Sequence, residues 1–306
     1  MGLGLALGLT LAAPAALAGS PRFCERGTDL GAAQHDKRLR LVARLRQELQ
    51  ASGTSMVLIS RSGTDLSRFA QRYSHAGIAL KDSPNTPWSV RQLYYACDEG
   101  RPRLFDQGLA GFMLAADDST SSHVSLVMLP PGPAVALEAA ALDRQLSLQI
   151  LATTYSANAH AFSTRYQNCN QWVAELMAAA WGGLGAQPTR EQAQAWLQAQ
   201  GYEPHRFEAA SWWLALAARL VPLLHHDDHP EADLRAGVYR VSMPSSLEAF
   251  VRQRLPGAQR VELCQDDRHI VVRRGWQPLG PGCEAGPGDE RLAFDDPAGG
   301  GPLRPI

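Results

Sequence analysis

The sequence predicts an α+β fold in which a small antiparallel sheet packs on one central helix. The helix is predicted from Tyr166 to Gly183, where apolar residues recur at spacings of three and four before two glycines end the pattern. Helical patterns and short strands after Gly185 predict a C-terminal extension. The sheet is predicted from short apolar runs that end at turn residues, in segments 54–63, 73–80, 88–97 and 123–129.

The N-terminal segment resembles a secretory signal. It is apolar, has no charge before Arg22, and contains Ala16-Leu17-Ala18, an A-x-A cleavage pattern. It is too short and too rich in alanine and glycine for a membrane span, and no other apolar run is long enough. We expect a signal peptide over residues 1–18, cleavage after Ala18, and a periplasmic or secreted chain without a transmembrane span.

Composition excludes a general nucleic-acid binder. The chain has 306 residues, of which 45% are hydrophobic and 19% charged, and its net charge is −1. No overall basic field would therefore attract nucleic acid. The basic stretch from Asp36 to Leu49 has leucines at every fourth position, which predicts a solvated helix with one apolar face. A membrane-surface role is the alternative for this helix.

The second strand carries a histidine. Alternation along Tyr73–Leu80 puts His75, Gly77 and Ala79 on one face of the strand. The small residues next to His75 would let a helix approach closely, and we expect the helix with Cys169 to pack there. The alternative is a half-buried histidine with a structural role.

The segments that follow alternate between strand and helix. Trp88–Cys97 is predicted to pair antiparallel with the histidine strand, and the glycine-rich segment Asp98–Leu114 is predicted to be a loop. His123–Leu129 is a further strand, with His123 interpreted as structural. A helix is predicted from Ala134 to Leu151.

The central helix is predicted to begin at a cysteine. Asn168 is a favourable N-cap residue, and Gln171 follows three positions later, as in a capping box. Cys169 would then lie among unpaired N–H groups at the positive end of the helix dipole, where a thiolate is favoured. The alternative is that Cys169 is only the first residue of the buried stripe, since free cysteines are often buried.

After the central helix the sequence predicts more helices and then strands. Thr189–Pro204 and Ala209–Leu224 have helical patterns, and RVELC and HIVVRRGW are typical of strands. The run HHDDH, His225–His229, has metal-ligand residue types without a second cluster. We interpret this run as a solvated helix end, and we expect neither a metal nor a cofactor. Gly, Pro and acidic residues predict a disordered tail over 285–306.

Export changes the expectation for the cysteines. In an oxidising compartment four of the five would pair and one would remain free. Cys264 and Cys283 flank a short strand-and-turn segment and would bridge locally, leaving Cys24 with Cys97. This is one of three possible pairings, and the other two stay open. It leaves Cys169 free, in agreement with its position at a helix start.

A cysteine hydrolase needs a thiolate, a base that forms it, and a polar group that orients the base. A cysteine at a helix start, next to a strand with a histidine, is the papain-type arrangement. In papain-type enzymes the cysteine comes first in the chain, whereas here His75 precedes Cys169. This order is that of circularly permuted members.

Two motifs resemble permuted NlpC-type papain-like hydrolases, a group that includes lecithin retinol acyltransferase-like proteins. RSGTDLSRFAQRYSHAGIAL, Arg61–Leu80, resembles their strand, R-x-G-like turn, short helix and Y-[ST]-H-x-G-I strand. NCNQWVAEL resembles their N-C-x-x-[FW]-V helix start. The chain down to about Gly185 also resembles an exported bacterial family of unknown function. The two motifs are specific as a pair rather than singly.

The resemblance implies that Cys169 is the nucleophile and His75 the base. It places the orienting polar residue on the next strand, facing the same way, and our choice there is Gln92. Ser89 and Tyr94 are the alternatives, and glutamine departs from the His, Asn or Glu that the family often has. The oxyanion would be held by the Cys169 N–H and by an amide side chain; Asn168 and Asn170 are the candidates.

These observations predict an exported cysteine hydrolase or acyltransferase that acts on an amide, ester or thioester bond. Export makes cell-envelope peptides or lipid-linked acyl groups the expected substrates. The alternative is a non-catalytic periplasmic binding or scaffold protein that keeps the fold, and the extension would serve a protein partner in either case. The predicted organisation is a signal peptide, a papain-like domain, an extension and a disordered tail, with bounds 1–18, 19–185, 186–284 and 285–306.

Overall fold

The computed structural model describes residues 31–114, 121–208, 221 and 223–294. The predicted signal peptide, Cys24 and most of the helix predicted over Ala209–Leu224 lie outside these residues. Within them, no helix combines the length and apolar character needed to cross a membrane.

The described residues form a mixed α+β structure with an antiparallel sheet, which confirms the predicted class. The strands are β1 Met56–Arg61, β2 His75–Leu80, β3 Ser89–Ala96, β4 Arg101–Gln107, β5 Ser122–Met128, β6 His205–Glu208, β7 Val238–Val241, β8 Gln259–Gln265, β9 His269–Arg274 and β10 Glu290–Ala293. The helices are α1 Ala32–Ala51, α2 Leu109–Leu114, α3 Pro131–Leu142, α4 Arg144–Gln149, α5 Cys169–Trp181, α6 Arg190–Ala199, α7 Glu231–Arg235 and α8 Pro244–Arg254.

The main sheet is larger than expected. Its eight strands follow the order β10-β9-β8-β5-β1-β2-β3-β4, and all neighbours pair antiparallel. The segment predicted as a loop after β3 forms β4 and α2 instead. β8, β9 and β10 join the sheet through β5, so strands assigned to an extension, and part of the predicted tail, belong to the same sheet. β10 escaped prediction because its four residues lie in a segment rich in glycine and proline.

The central strands of the sheet are buried on both faces, whereas the edge strands β4 and β10 are partly exposed. One face packs in a cluster with α3, α5, α6 and α8, and we call it the α5 face; the other packs with α1 and α2 and is called the α1–α2 face. On β2, Ala76, Ile78 and Leu80 belong to the α5 face, whereas Ala79 belongs to the α1–α2 face. The expectation that α5 covers the small-residue face was therefore wrong. The larger side chains offer the helix more apolar area to bury.

Candidate active site

The central helix begins at Cys169, as the sequence predicts. Asn168 is its N-cap, and its side-chain oxygen accepts a hydrogen bond from the Gln171 N–H at 2.7 Å. The Asn168 amide donates to the carbonyl oxygens of Ala157 at 3.4 Å and Ser242 at 3.3 Å. These contacts fix the start of α5 between two loops. Cys169 has a free thiol and is 6% exposed.

The sulfur of Cys169 lies against the backbone of β2. The backbone N–H groups of Asn170, of Cys169 itself and of Ala76, the residue after His75, lie near enough to the sulfur to favour its charged form. The Asn170 amide donates to the carbonyl oxygen of Ser74 at 3.3 Å. The beginning of α5 is therefore attached to β2 on both sides of His75.

Burial decides the ionisation of the thiol. It raises the pKa of Cys169 from 9.0 to about 11, although the neighbouring N–H groups and the positive charge of Arg61 lower it. The expectation of a favoured thiolate was therefore wrong for the protein at rest. The N–H groups at the helix start stabilise a thiolate, but the desolvation of a buried sulfur destabilises the thiolate by more.

His75 is held by the neighbouring strand. It is 7% exposed, and its Nε2 is hydrogen-bonded to the amide oxygen of Gln92. The Gln92 amide nitrogen donates to Gln107 Oε1 at 2.8 Å, which directs the Gln92 oxygen towards the imidazole. Because an amide oxygen only accepts, Nε2 carries the proton and Nδ1 is the basic nitrogen of the neutral ring.

The two alternatives to Gln92 have other surroundings. The Ser89 hydroxyl donates to the Ser83 hydroxyl. Tyr94 meets His75 edge to face, with ring centroids 5.6 Å apart, and is 36% exposed. Of these three side chains, Gln92 is the one whose polar atom contacts the imidazole.

A glycine brings Gln92 within reach of His75. A Cβ at Gly77 would lie 2.6 Å from Val90 Cγ1, 3.0 Å from the Arg91 carbonyl oxygen and 3.2 Å from Gln92 Cβ. The β2–β3 register runs only from Ile78 to Leu80, so His75 lies beyond the ladder. The absence of a side chain at Gly77 lets β3 stay close enough for Gln92 to bridge this gap.

Arg61 is the cation of the site. It lies directly opposite His75 on β1, and its guanidinium is 5.1 Å from the centre of the Phe112 ring. Phe112 in turn lies 5.9 Å from the His75 ring. Burial, and then the charge of Arg61, lower the pKa of His75 to about 3, which Gln92 opposes. His75 is therefore neutral at pH 7.

Cys169 and His75 approach β2 from different sides. His75 contacts Phe112 on the α1–α2 face, whereas Cys169 belongs to the cluster on the α5 face. Both lie at the end of β2 where the ladder to β3 has stopped. Their polar contacts lead to different groups: His75 is hydrogen-bonded to Gln92, whereas the Cys169 sulfur lies near backbone N–H groups of α5 and β2.

The proposed oxyanion side chains are already engaged. Both donors of Asn168 point to backbone carbonyls, and the Asn170 amide donates to Ser74. Asn170 Oδ1 has no hydrogen-bond partner in the described part of the chain, but it is an acceptor and would not bind an oxyanion. The N–H groups of Cys169 and Asn170 remain on the sulfur side of the helix start.

Sequence reasoning missed Tyr155. Its hydroxyl interacts with the Cys169 thiol, and its ring lies 5.5 Å from that of Tyr95. The segment around Tyr155 has no periodic pattern, so nothing in the sequence places it near the cysteine. Arg61 was noted only as part of the turn motif, although its position opposite His75 follows once the β1–β2 register is known.

Of the remaining cysteines, three form disulfides, and Cys24 lies outside the described residues. Cys264 and Cys283 are joined, and Cys97 is also disulfide-bonded. His123 Nε2 lies 3.0 Å from the Cys264 sulfur. His123, Cys264 and Cys283 are the one group of metal-ligand side chains found close together in the described ranges, but the two sulfurs are bonded to each other.

The HHDDH run is a partly buried loop, in which His229 is buried and Asp227 exposed, rather than a solvated helix end. Asp228 accepts a hydrogen bond from the His160 N–H at 2.8 Å, and His229 Nε2 contacts the Asn158 carbonyl oxygen at 2.8 Å. The His160 and His229 rings meet edge to face, 5.3 Å apart. The run thus attaches to the loop that precedes α5, a long-range contact that the sequence does not reveal.

No curated protein and no solved structure matches this chain. The model of one family, described as an uncharacterized protein conserved in bacteria (DUF2145), matches residues 48–251. This stretch runs from the end of α1 into α8 and includes His75, Gln92 and Cys169. The match covers well over half of the sequence, and the chain therefore belongs to the bacterial family DUF2145.

Proposed function

We propose that this protein is a thiol-dependent hydrolase or acyltransferase that attacks the carbonyl of an amide, ester or thioester. One observation carries the proposal. A free cysteine begins a helix against the strand of His75, and that histidine is oriented through Nε2 by Gln92. We assign to Cys169, His75 and Gln92 the roles of nucleophile, base and orienting group that this chemistry needs.

The reaction starts from a neutral pair. Because the pKa of the thiol is about 11 and that of His75 about 3, neither group is charged at pH 7. Proton transfer from sulfur to His75 Nδ1 must therefore accompany attack. The sulfur forms a bond to the carbonyl carbon, and the leaving group departs with the proton from His75. Water or an acceptor then releases the acyl group by the reverse sequence of proton transfers.

The substrate class follows from the compartment. The predicted signal peptide favours export, and the Cys264–Cys283 disulfide fits an oxidising environment. Cell-envelope peptides and lipid-linked acyl groups are the acyl donors available there. We therefore propose one of these as the substrate.

Acylation of Cys169 is the test. The protein is incubated with p-nitrophenyl acetate, and intact mass and peptide mapping locate the acetyl group. We expect acetylation at Cys169, its loss in Cys169→Ala, and strongly slowed acetylation in His75→Ala. His35→Ala, an exposed histidine on α1, is the matched control and should react like the wild type. A wild-type protein that is not acetylated at Cys169 would contradict the proposal.

The proximity of the two groups has its own test. Dibromoacetone alkylates a thiol and bridges it to an imidazole that lies within a few bond lengths. We expect one crosslink between Cys169 and His75, identified by peptide mapping. Alkylation of Cys169 without a crosslink would mean that the thiol and the imidazole, which lie on different faces of β2, do not come within reach of each other, and it would contradict the proposed pair.

A non-catalytic binding or scaffold protein is the second candidate function. The observation in its favour is the burial of Cys169, which raises the pKa of the thiol to about 11. In that case Cys169 would be alkylated slowly at every pH until the protein is denatured, and His75→Ala would not change the rate.

A further inference from the structure

We propose that Tyr155 is a catalytic residue whose hydroxyl donates a hydrogen bond to the oxyanion formed when Cys169 attacks a carbonyl. This role rests on the proposed function. It gives a side chain outside both sequence motifs a place in the reaction.

The backbone holds Tyr155 beside the start of α5. Tyr155 forms a parallel bridge with Gln167, two residues before Cys169. The Gln167 N–H donates to the Thr154 carbonyl at 3.2 Å, and the Ser156 N–H donates to the Gln167 carbonyl at 3.2 Å. The Gln167 side chain is itself fixed, since its oxygen accepts from the Ala152 N–H at 2.9 Å and its nitrogen donates to the Ile150 carbonyl at 2.9 Å. The position of Tyr155 relative to Cys169 is thus set by four backbone-anchored bonds.

The hydroxyl of Tyr155 lies near the reacting atom. It interacts with the Cys169 thiol, while the ring packs on Tyr95. Burial raises the pKa of the Tyr155 hydroxyl well above its ordinary value, so the group stays protonated and is a donor. A donor in contact with the sulfur is also close to the oxygen of any carbonyl that the sulfur attacks.

The other side chains near the sulfur are unsuited to this role. The donors of Asn168 and Asn170 are directed at backbone carbonyls. The N–H groups of Cys169 and Asn170 supply backbone donors, and an oxyanion is usually bound by two or three donors together. Tyr155 supplies the side-chain member of that set.

Tyr155 stays uncharged throughout the reaction step. The sulfur forms a bond to the carbonyl carbon, the carbonyl π electrons move to oxygen, and the thiol proton goes to His75. Tyr155 keeps its own proton and only donates a hydrogen bond to the oxyanion. When the intermediate collapses, these electrons re-form the carbonyl, and the leaving group takes the proton from His75.

Comparison of two reactions of the same thiol tests the role. Acetylation by p-nitrophenyl acetate passes through an oxyanion, whereas alkylation by iodoacetamide does not. The ratio of the two rates at one pH cancels the reactivity of the thiol itself, because both reactions use the Cys169 sulfur and pass its proton to the same base. Tyr155→Phe removes only the hydroxyl. Tyr95→Phe is the matched control, since the Tyr95 hydroxyl lies next to Gly100, where a Cβ would be 3.9 Å away.

We expect Tyr155→Phe to lower the ratio of acetylation to alkylation by about 100-fold, the usual effect of losing one oxyanion donor. Tyr95→Phe should leave the ratio close to the wild-type value, because it keeps the ring that packs on Tyr155 and removes only a hydroxyl that lies next to Gly100. An unchanged ratio in Tyr155→Phe, with the wild type acetylated, overturns the role of Tyr155 and leaves the proposed function standing. Equal falls in both rates would assign Tyr155 a structural role. A wild type that is not acetylated overturns the proposed function and this role with it.

Discussion

The imidazole of His75 is hydrogen-bonded through Nε2 to the amide oxygen of Gln92, a residue just beyond the part of β3 that pairs with β2. The bond fixes the proton on Nε2 and leaves Nδ1 as the basic nitrogen. It depends on the close approach of the two strands at Gly77, where a side chain has no room. The orientation of the base is therefore encoded by a glycine as well as by the glutamine.

Gly77→Ala should destabilise the protein and loosen the His75–Gln92 contact. The new Cβ would lie 2.6 Å from Val90 Cγ1 and 3.0 Å from the Arg91 carbonyl oxygen, and a backbone atom does not move without shifting β3. We expect the free energy of unfolding to fall by about 1–3 kcal/mol, as for other overpacked cores. Urea denaturation measures this loss. Gly132→Ala is the control, because a Cβ there meets nothing within 4 Å, and equal stabilities of the two variants would contradict the prediction.

Arg61→Gln should raise the pKa of both His75 and Cys169. The positive charge of Arg61 lowers the pKa of the imidazole and that of the thiol, so its removal has the same sign for both. NMR titration follows His75, and the pH dependence of alkylation follows the thiol. Arg61→Lys keeps the charge and should stay closer to the wild type. Opposite shifts of the two groups in Arg61→Gln would show that Arg61 does not act through its charge.

Acid should destabilise the protein through its buried histidines. Burial lowers the pKa of His75 to about 3 and those of His123 and His160 to about 4, against an ordinary value of 6.5. Unfolded histidines bind protons that the folded ones do not, so stability is complete above about pH 6.5 and falls as the pH drops towards 4. Each such histidine contributes a slope of about 1.4 kcal/mol per pH unit in this window.

The contribution of His75 is separable from the others. His75→Gln should reduce the pH dependence of the unfolding free energy between pH 6 and 4 by about one such slope. His35→Gln, at an exposed position on α1, should leave the dependence unchanged. Denaturant titrations at a series of pH values give both slopes. The same slope in His75→Gln and in the wild type would mean that His75 titrates normally in the folded protein.

Loss of the Cys264–Cys283 disulfide should weaken the C-terminal strands. The bridge spans 19 positions, and closing a loop of this size is worth about 3 kcal/mol. Cys283→Ser should therefore lower the free energy of unfolding by about 2–4 kcal/mol. Cys169→Ser is the control with the bridge intact. If the two variants unfold at the same denaturant concentration, the bridge adds nothing to folding.

Sequence patterns that lie within a single helix or strand predicted that element correctly. The Asn168 cap and the apolar stripe place the start of α5 at Cys169, and β1, β2, β3 and β5 follow from their apolar runs. We predicted that α5 packs on the small-residue face of β2, because small side chains let a helix approach closely, and this prediction was wrong. The helix instead buries against Ile78 and Leu80, where more apolar area is available.

Features of the site that depend on long-range contacts could not be predicted from the sequence. The pKa of Cys169 depends on its burial, which a helix-start argument does not contain. Tyr155 reaches the sulfur through a bridge to Gln167, and no spacing rule indicates that pairing. Gln92 was chosen by resemblance, and its contact with His75 depends on the register of β2 and β3 and on Gly77.

The sheet continues beyond the segment that the family model matches. That match ends at residue 251, whereas β8 begins at Gln259 and covers the outer side of β5 along its whole length. A chain cut at the end of the matched segment would leave β5 as a bare sheet edge, with apolar residues on both faces. Such an edge invites pairing with other chains, so the shortened protein is expected to aggregate rather than to fold as a smaller domain.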